Sequence, residues 1–139
     1  MKLNTLLPLL TVVVFWACNT AQKAQSPTPV TPPSFATWDK KMIDLGKVKK
    51  GEKRTMFFEL TNTSGQEIKI ETIDACDCTK VDYPRGKIAP NGKARLDVVF
   101  DSHEKEADET IGITIVFENM DANGYPRIES IEYKFELVK

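Results

Sequence analysis

The 139-residue chain holds only three cysteines and one histidine, which leaves few side chains for metal ligation or nucleophilic catalysis. Excess charge of either sign is also missing: Lys and Arg total 19 against 20 for Asp and Glu, a net charge of -1. Nucleic acid demands a concentrated basic surface, and this balance excludes one as the dominant feature. No apolar run is long enough to cross a bilayer as a helix, which takes about 20 residues. No glycine-rich phosphate loop, dinucleotide fingerprint or Gly-x-Ser-x-Gly nucleophile turn occurs, and there is no internal repeat. Beyond the N-terminal segment, no window sustains a 3.6-residue apolar period, so little helix is expected. What is there is ordinary globular material, 41% hydrophobic and 28% charged, enough for one domain with a core.

The first seventeen residues read as an export signal. Lys2 supplies the positive end, and Leu6 to Ala17 carries no charge. Phe15 at the third position before a cut after Ala17 makes a poor site for ordinary signal peptidase. Cys18 directly after Ala17 instead resembles a bacterial lipobox, with Phe15 standing where leucine is usual. In that pattern the cysteine is lipidated and becomes the mature N-terminus. The segment 18–34 follows, holding Pro27, Pro29, Pro32 and Pro33 and, before Phe35, no large apolar residue except Val30. Too little apolar surface is available there to offset the entropy of ordering, so a disordered linker is expected. Proline makes such a linker an extended, semi-rigid spacer of about 3.1 Å per residue.

From Phe35 onward the apolar spacing changes to a period of two. Met56, Phe58 and Leu60 alternate with polar residues, although Phe57 breaks the pattern. Ile68 and Ile70 follow, then Ala94, Leu96, Val98 and Phe100; Ile111, Ile113, Ile115 and Phe117; and Ile131, Tyr133, Phe135 and Leu137. Alternation of this kind places one face of each strand on a core and the other toward water. With a first strand around Met42–Leu45 and a short one near Thr79–Tyr83, about seven strands are expected. Lys50-Gly51-Glu52, Ser64-Gly65-Gln66, Pro90-Asn91-Gly92 and Asn123-Gly124-Tyr125-Pro126 separate them with turn chemistry. Seven short strands over residues 35–139 fit an all-β, immunoglobulin-like sandwich. The inter-sheet disulfide of antibody domains is absent, because the only cysteines of this region are two residues apart.

An ordered set of motifs runs through the same region: Ile43-Asp44-Leu45-Gly46-Lys47-Val48, Lys50-Gly51-Glu52, Phe58-Glu59-Leu60-Thr61-Asn62-Thr63, Cys76-Asp77-Cys78-Thr79 and Ile88-Ala89-Pro90-Asn91-Gly92-Lys93. In this order they resemble an exported bacterial family catalogued as domain of unknown function fifteen-seventy-three, common in Bacteroidota. Asp77 stands where that family has glycine, and Asn91 precedes the loop glycine as an extra residue. The resemblance implies an immunoglobulin-like sandwich akin to PapD-like domains on an exported or lipid-anchored protein. It implies no activity.

Cys76-Asp77-Cys78 is the one constellation that could carry chemistry. With Cys18 lipidated, these two remain as an even pair in an oxidising compartment, which invites a disulfide. In an extended strand, alternate residues lie close to 7 Å apart, so bonding requires a sharp turn at Asp77. Three readings stay open: a structural turn, a soft-metal site built on two thiolates, and a thiol–disulfide exchange site. Metal binding needs further ligands, and His103, the sole histidine, lies far along the chain in a charged run that reads as a solvated loop. Exchange lacks a C-x-x-C motif, with Lys80 as the nearby cation that could favour a thiolate.

Lys40, Lys41, Lys47, Lys49, Lys50, Lys53 and Arg54 make the start of the domain basic, which reads as a solvated face. Asn62-Thr63-Ser64 matches a glycosylation sequon and reads as a turn. Trp38 reads as an edge plug of the core. Taken together, the sequence leads to the expectation of a non-catalytic cell-envelope protein without cofactor, tethered to the bilayer through Cys18. Its partner would be an envelope protein or peptide, and an alternative is an envelope redox or metal protein using Cys76 and Cys78. Asn19-Thr20-Ala21-Gln22 carries no acidic cluster of the surface-export kind, which favours the periplasmic face of the outer membrane.

Overall fold

Alternating burial along each strand builds two layers. The computed structural model describes residues 34–139, and the leader, Cys18 and most of the linker lie outside that range. Eight strands form: β1 (Ala36–Trp38), β2 (Met42–Lys49), β3 (Lys53–Asn62), β4 (Ile70–Asp74), β5 (Thr79–Asp82), β6 (Lys93–Asp101), β7 (Glu109–Met120) and β8 (Pro126–Val138). There is no helix among the described residues. One sheet has the order β1-β3-β6-β5 and the other β2-β8-β7-β4. All pairings are antiparallel except β2 with β8. This is the immunoglobulin-type arrangement with its first strand split: β1 starts on one sheet, and the chain crosses at Asp39–Lys41 to continue as β2 on the other.

The core is where the apolar stripes meet. Phe58 and Leu60 of β3 and Leu96, Val98 and Phe100 of β6 face Ile113, Ile115 and Phe117 of β7 and Ile131, Tyr133 and Phe135 of β8, all buried. Phe100 sits centrally, its ring 5.2 Å from that of Tyr133 and 4.6 Å from that of Phe135. Phe57, out of phase with its neighbours, points to the other face of the sheet and is 38% exposed. The seven expected strands are all present. The eighth is β1, a three-residue strand pairing Ala36 with Asn62 and Trp38 with Leu60. Trp38 therefore lies within a strand, not ahead of the first one, and packs half-buried against the core.

Asn62 is the polar exception inside. It continues the inward phase of Phe58 and Leu60 and is completely buried. Its Nδ2 lies 2.6 Å from the Gln66 carbonyl, 3.0 Å from that of Ile88 and 3.1 Å from that of Ala89. Its Oδ1 accepts the Ser64 N–H and hydroxyl at 3.0 and 2.7 Å. One side chain thus ties two loops together at the pole where β3 ends. Asn91 sits in the second of these loops in the left-handed region (φ 60), and its N–H donates to the Asn62 carbonyl at 2.9 Å. Asparagine tolerates that backbone better than most residues, which explains how the extra residue before Gly92 is accommodated.

Candidate functional site

The turn into β5 brings Cys76 and Cys78 together. The Thr79 N–H donates to the Cys76 carbonyl at 2.8 Å, closing a β-turn with Asp77 and Cys78 at its centre. That turn shortens the Cα–Cα distance to 5.2 Å, and the two sulfurs are joined as a disulfide. Asp77 needs no positive φ to do this, so the aspartate in place of the family's glycine fits the turn. The Asp101 N–H donates to the Cys78 carbonyl at 2.9 Å and fastens the turn to the end of β6. Both cysteines are half-buried against the core, while Asp77 is exposed.

Under the turn lies a hydroxyl pair that sequence reasoning missed. Thr79 Oγ1 is 3.3 Å from Cys76 Sγ, 3.5 Å from Cys78 Sγ and 2.6 Å from the phenol oxygen of Tyr133. Tyr133 comes from β8 in the opposite sheet, 54 residues away, and is completely buried. Burial pushes its phenol up to about 12. It therefore stays protonated at neutral pH. The available signal was its phase: a tyrosine in an inward stripe must find a partner for its O–H.

A second feature follows from the split first strand. β1 pairs with β3 only from Leu60 to Asn62. Beyond it, the Asp39 N–H donates to the Glu59 carbonyl and the Asp39 carboxylate accepts the Glu59 N–H, both at 2.9 Å. Burial works against the Asp39 charge, but hydrogen bonds from the main chain at Glu59 and Lys40 hold its carboxyl below the ordinary range. From there to Lys53 no strand of the described residues occupies the lane beside β3, because the chain has crossed to the other sheet. Since the main-chain groups of Glu59 point into this lane, the two-residue period turns those of Phe57, Thr55 and Lys53 the same way. A cleft beside it is lined by Lys40, Met42, Ile43, Asp44, Leu45, Thr55, Met56 and Phe57. The exposed Phe57 ring is flanked by the Arg95 guanidinium at 3.9 Å and the Lys40 ammonium at 4.7 Å.

The remaining sequence candidates fall elsewhere. His103 is exposed in the loop after β6, its main-chain N–H donating to the Asp101 carboxylate at 3.1 Å and its imidazole Nε2 3.7 Å from the Glu104 carboxylate. Among the described residues, no three His, Cys, Asp or Glu side chains converge as a metal site. The basic run is largely neutralised: Lys40 pairs with Asp39, Lys41 with Glu129, Lys50 with Glu106, Lys53 with Asp101 and Arg54 with Glu52. Lys80 is exposed on β5. Cys18 lies outside the described residues.

Strand order and the split first strand define an immunoglobulin-like sandwich of the PapD-like kind, and solved structures share that fold. The ASH / PapD-like domain 7 of human CEP192 superposes with a TM-score of 0.62 at 10% identity, covering 82% of this chain and 92% of that one. A protein of unknown function from Porphyromonas gingivalis W83 gives 0.58 at 19% identity, over 78% of this chain and half of that one. The VesB protease of Vibrio cholerae gives 0.60 at 14% identity, but the likeness spans only 32% of the protease. No curated protein matches the sequence. The family model described as "Protein of unknown function (DUF1573)" matches residues 36–130, and the chain belongs to that family.

Proposed function

We propose that the protein is a non-catalytic module of the cell envelope, lipidated at Cys18 and facing the periplasm from the outer membrane. It binds a protein or peptide partner by adding that partner's strand to its own sheet. The observation that carries this reading is the lane beside β3 that no described strand fills, where an exposed edge offers main-chain donors and acceptors next to a cleft of apolar residues flanked by Lys40 and Asp44. Strand addition uses such an edge for affinity and the neighbouring pocket for side-chain selection.

Thr55→Pro tests the lane. Its N–H faces the vacant side, so proline removes a donor without touching the β3–β6 ladder, where edge proline is tolerated. Envelope partners cross-linked to the wild-type chain should fall at least about tenfold on the variant, since strand addition depends on main-chain hydrogen bonds. Thermal unfolding should stay within a few degrees. An identical set of partners on both chains, or none enriched on the wild type, would overturn strand addition at this edge.

Cys18→Ala tests the anchor separately. Two or three acyl chains at one cysteine fix a protein to a bilayer, whereas none leaves the chain without a lipid foothold. The wild-type chain should carry acyl mass on Cys18 and begin there, and the variant should carry no acyl mass and retain the leader. A wild-type mature N-terminus found anywhere other than an acylated Cys18 would remove lipidation from the reading.

A further inference from the structure

The hydroxyl pair beneath the disulfide has a direction. Tyr133 is completely buried, and its only hydrogen-bond partner among the described residues is Thr79. A buried O–H left unused is costly, so Tyr133 donates and Thr79 accepts. The Thr79 hydrogen must then go elsewhere, and the groups within reach are Cys76 Sγ and Cys78 Sγ. Sulfurs bonded to each other carry no hydrogen, so Thr79 is the donor and its single hydrogen is shared between the two contacts. A disulfide sulfur is a weak acceptor and a thiolate a strong one. The donor is thus matched less to the intact bond than to the product of its cleavage.

We propose that Cys76–Cys78 is a thiol–disulfide exchange site that accepts two electrons from a dithiol, with Thr79 stabilising the thiolate set free and Tyr133 holding Thr79 in its donating orientation. A thiolate of the dithiol attacks one sulfur of the pair, the Cys76–Cys78 bond breaks, and the other sulfur leaves as a thiolate. Thr79 reaches both sulfurs and serves whichever one leaves. The second thiol of the dithiol then displaces the remaining cysteine from the mixed disulfide. The dithiol ends as a disulfide, and its two protons end on Cys76 and Cys78.

Nearby charge does not override this contact. Asp77 and Lys80 flank the pair and are exposed, Asp101 of β6 is engaged with Lys53 at 3.2 Å, and Glu109 acts on Tyr133 from β7. The carboxylates oppose a thiolate, but through water and salt, whereas Thr79 touches the sulfurs. The site lies at the pole where β6 ends, away from the β3 lane's closed end, and requires no partner strand. Its function is separate from the strand-addition reading and stands or falls independently.

The test uses the full chain in detergent with Cys18→Ala, so that only the pair reports, and dithiothreitol as the reductant. After reduction, one thiol should titrate below the ordinary value of about 8.5, read by thiolate absorbance. Thr79→Val should raise that value by about one unit and slow reduction about tenfold, as loss of a hydrogen bond to a charged group does. Thr79→Ser should restore both to within about twofold of wild type, and Tyr133→Phe should slow reduction about threefold while leaving Thr79 in place. An unchanged rate and thiol titration in Thr79→Val would overturn the proposal, as would failure of serine to restore them. If the valine variant does not fold, a wild-type rate in Tyr133→Phe overturns the relay.

Discussion

Phe100→Ala is expected to lower the unfolding free energy by about 3–5 kcal/mol, the range for deleting a buried phenylalanine ring. The ring is inaccessible to solvent and sits between the sheets against Tyr133 and Phe135. Its backbone is held on both sides, by Arg54 of β3 and Thr79 of β5, so the sheet cannot readily collapse into the space left behind. Domains of this size have about 5–15 kcal/mol of stability in total, so the loss is a large share of it. Phe57→Ala deletes the same ring from the outer face and should cost only about 1 kcal/mol, since its contacts are solvent-exposed cation–π pairs. Urea unfolding of the two variants checks the assignment of faces. Equal losses would mean that β3 does not present Phe58 and Leu60 inward as described.

Asn62→Ala is expected to cost about 1–3 kcal/mol, because the Gln66, Ile88 and Ala89 carbonyls each lose one of two donors and the Ser64 N–H and hydroxyl lose their acceptor at a buried position. Asn62→Asp separates this hydrogen-bonding role from side-chain volume. A carboxylate there would face the Ile88 and Ala89 carbonyls and meet no donor for its second oxygen, so its protonated form is favoured in the fold. The folded pKa of that aspartate would then lie above its unfolded value near 3.9. Stability relative to wild type should accordingly be greater below about pH 4 and fall as pH rises toward neutrality. Melting temperatures of wild type and variant at pH 4 and pH 7 measure this. A gap that narrows on going to pH 7 would show that Asn62 is not enclosed by carbonyls.

The two-residue alternation made most of this fold legible. Ile111 to Phe117 and Ala94 to Phe100 could face a core only as strands, and they do so residue by residue. β1 escaped because Ala36-Thr37-Trp38 is too short to show a period, and only its pairing with the end of β3 makes it a strand. The parallel pairing of β2 with β8 joins segments from opposite ends of the domain and leaves no local trace. Asn62 could have been singled out by phase, since a polar residue two beyond Leu60 in an inward stripe has to find partners inside. The Cys76-Asp77-Cys78 motif was visible, but its chemistry depends on Tyr133, which its stripe alone presents as one more core residue. The vacant lane beside β3 was invisible for another reason. It exists because a strand changes sheets, and that is decided by packing between the layers.

The parallel pairing also bears on how the domain carries load. β1 and β2 run in one direction along the sandwich, so the chain enters at the pole where β3 ends, while β8 finishes at the opposite pole beside Lys49. Tension applied between residue 34 and residue 139 would therefore pull β2 and β8 past each other lengthwise. Their cross-strand hydrogen bonds, from Met42 opposite Glu132 to Lys49 opposite Val138, would be strained together and not peeled one after another. Collective rupture needs more force than unzipping, and the register shift between Asp44 and Lys47 is where the slip would begin. A domain held at one end and gripped at the other would resist as a clamp, well before its core was exposed.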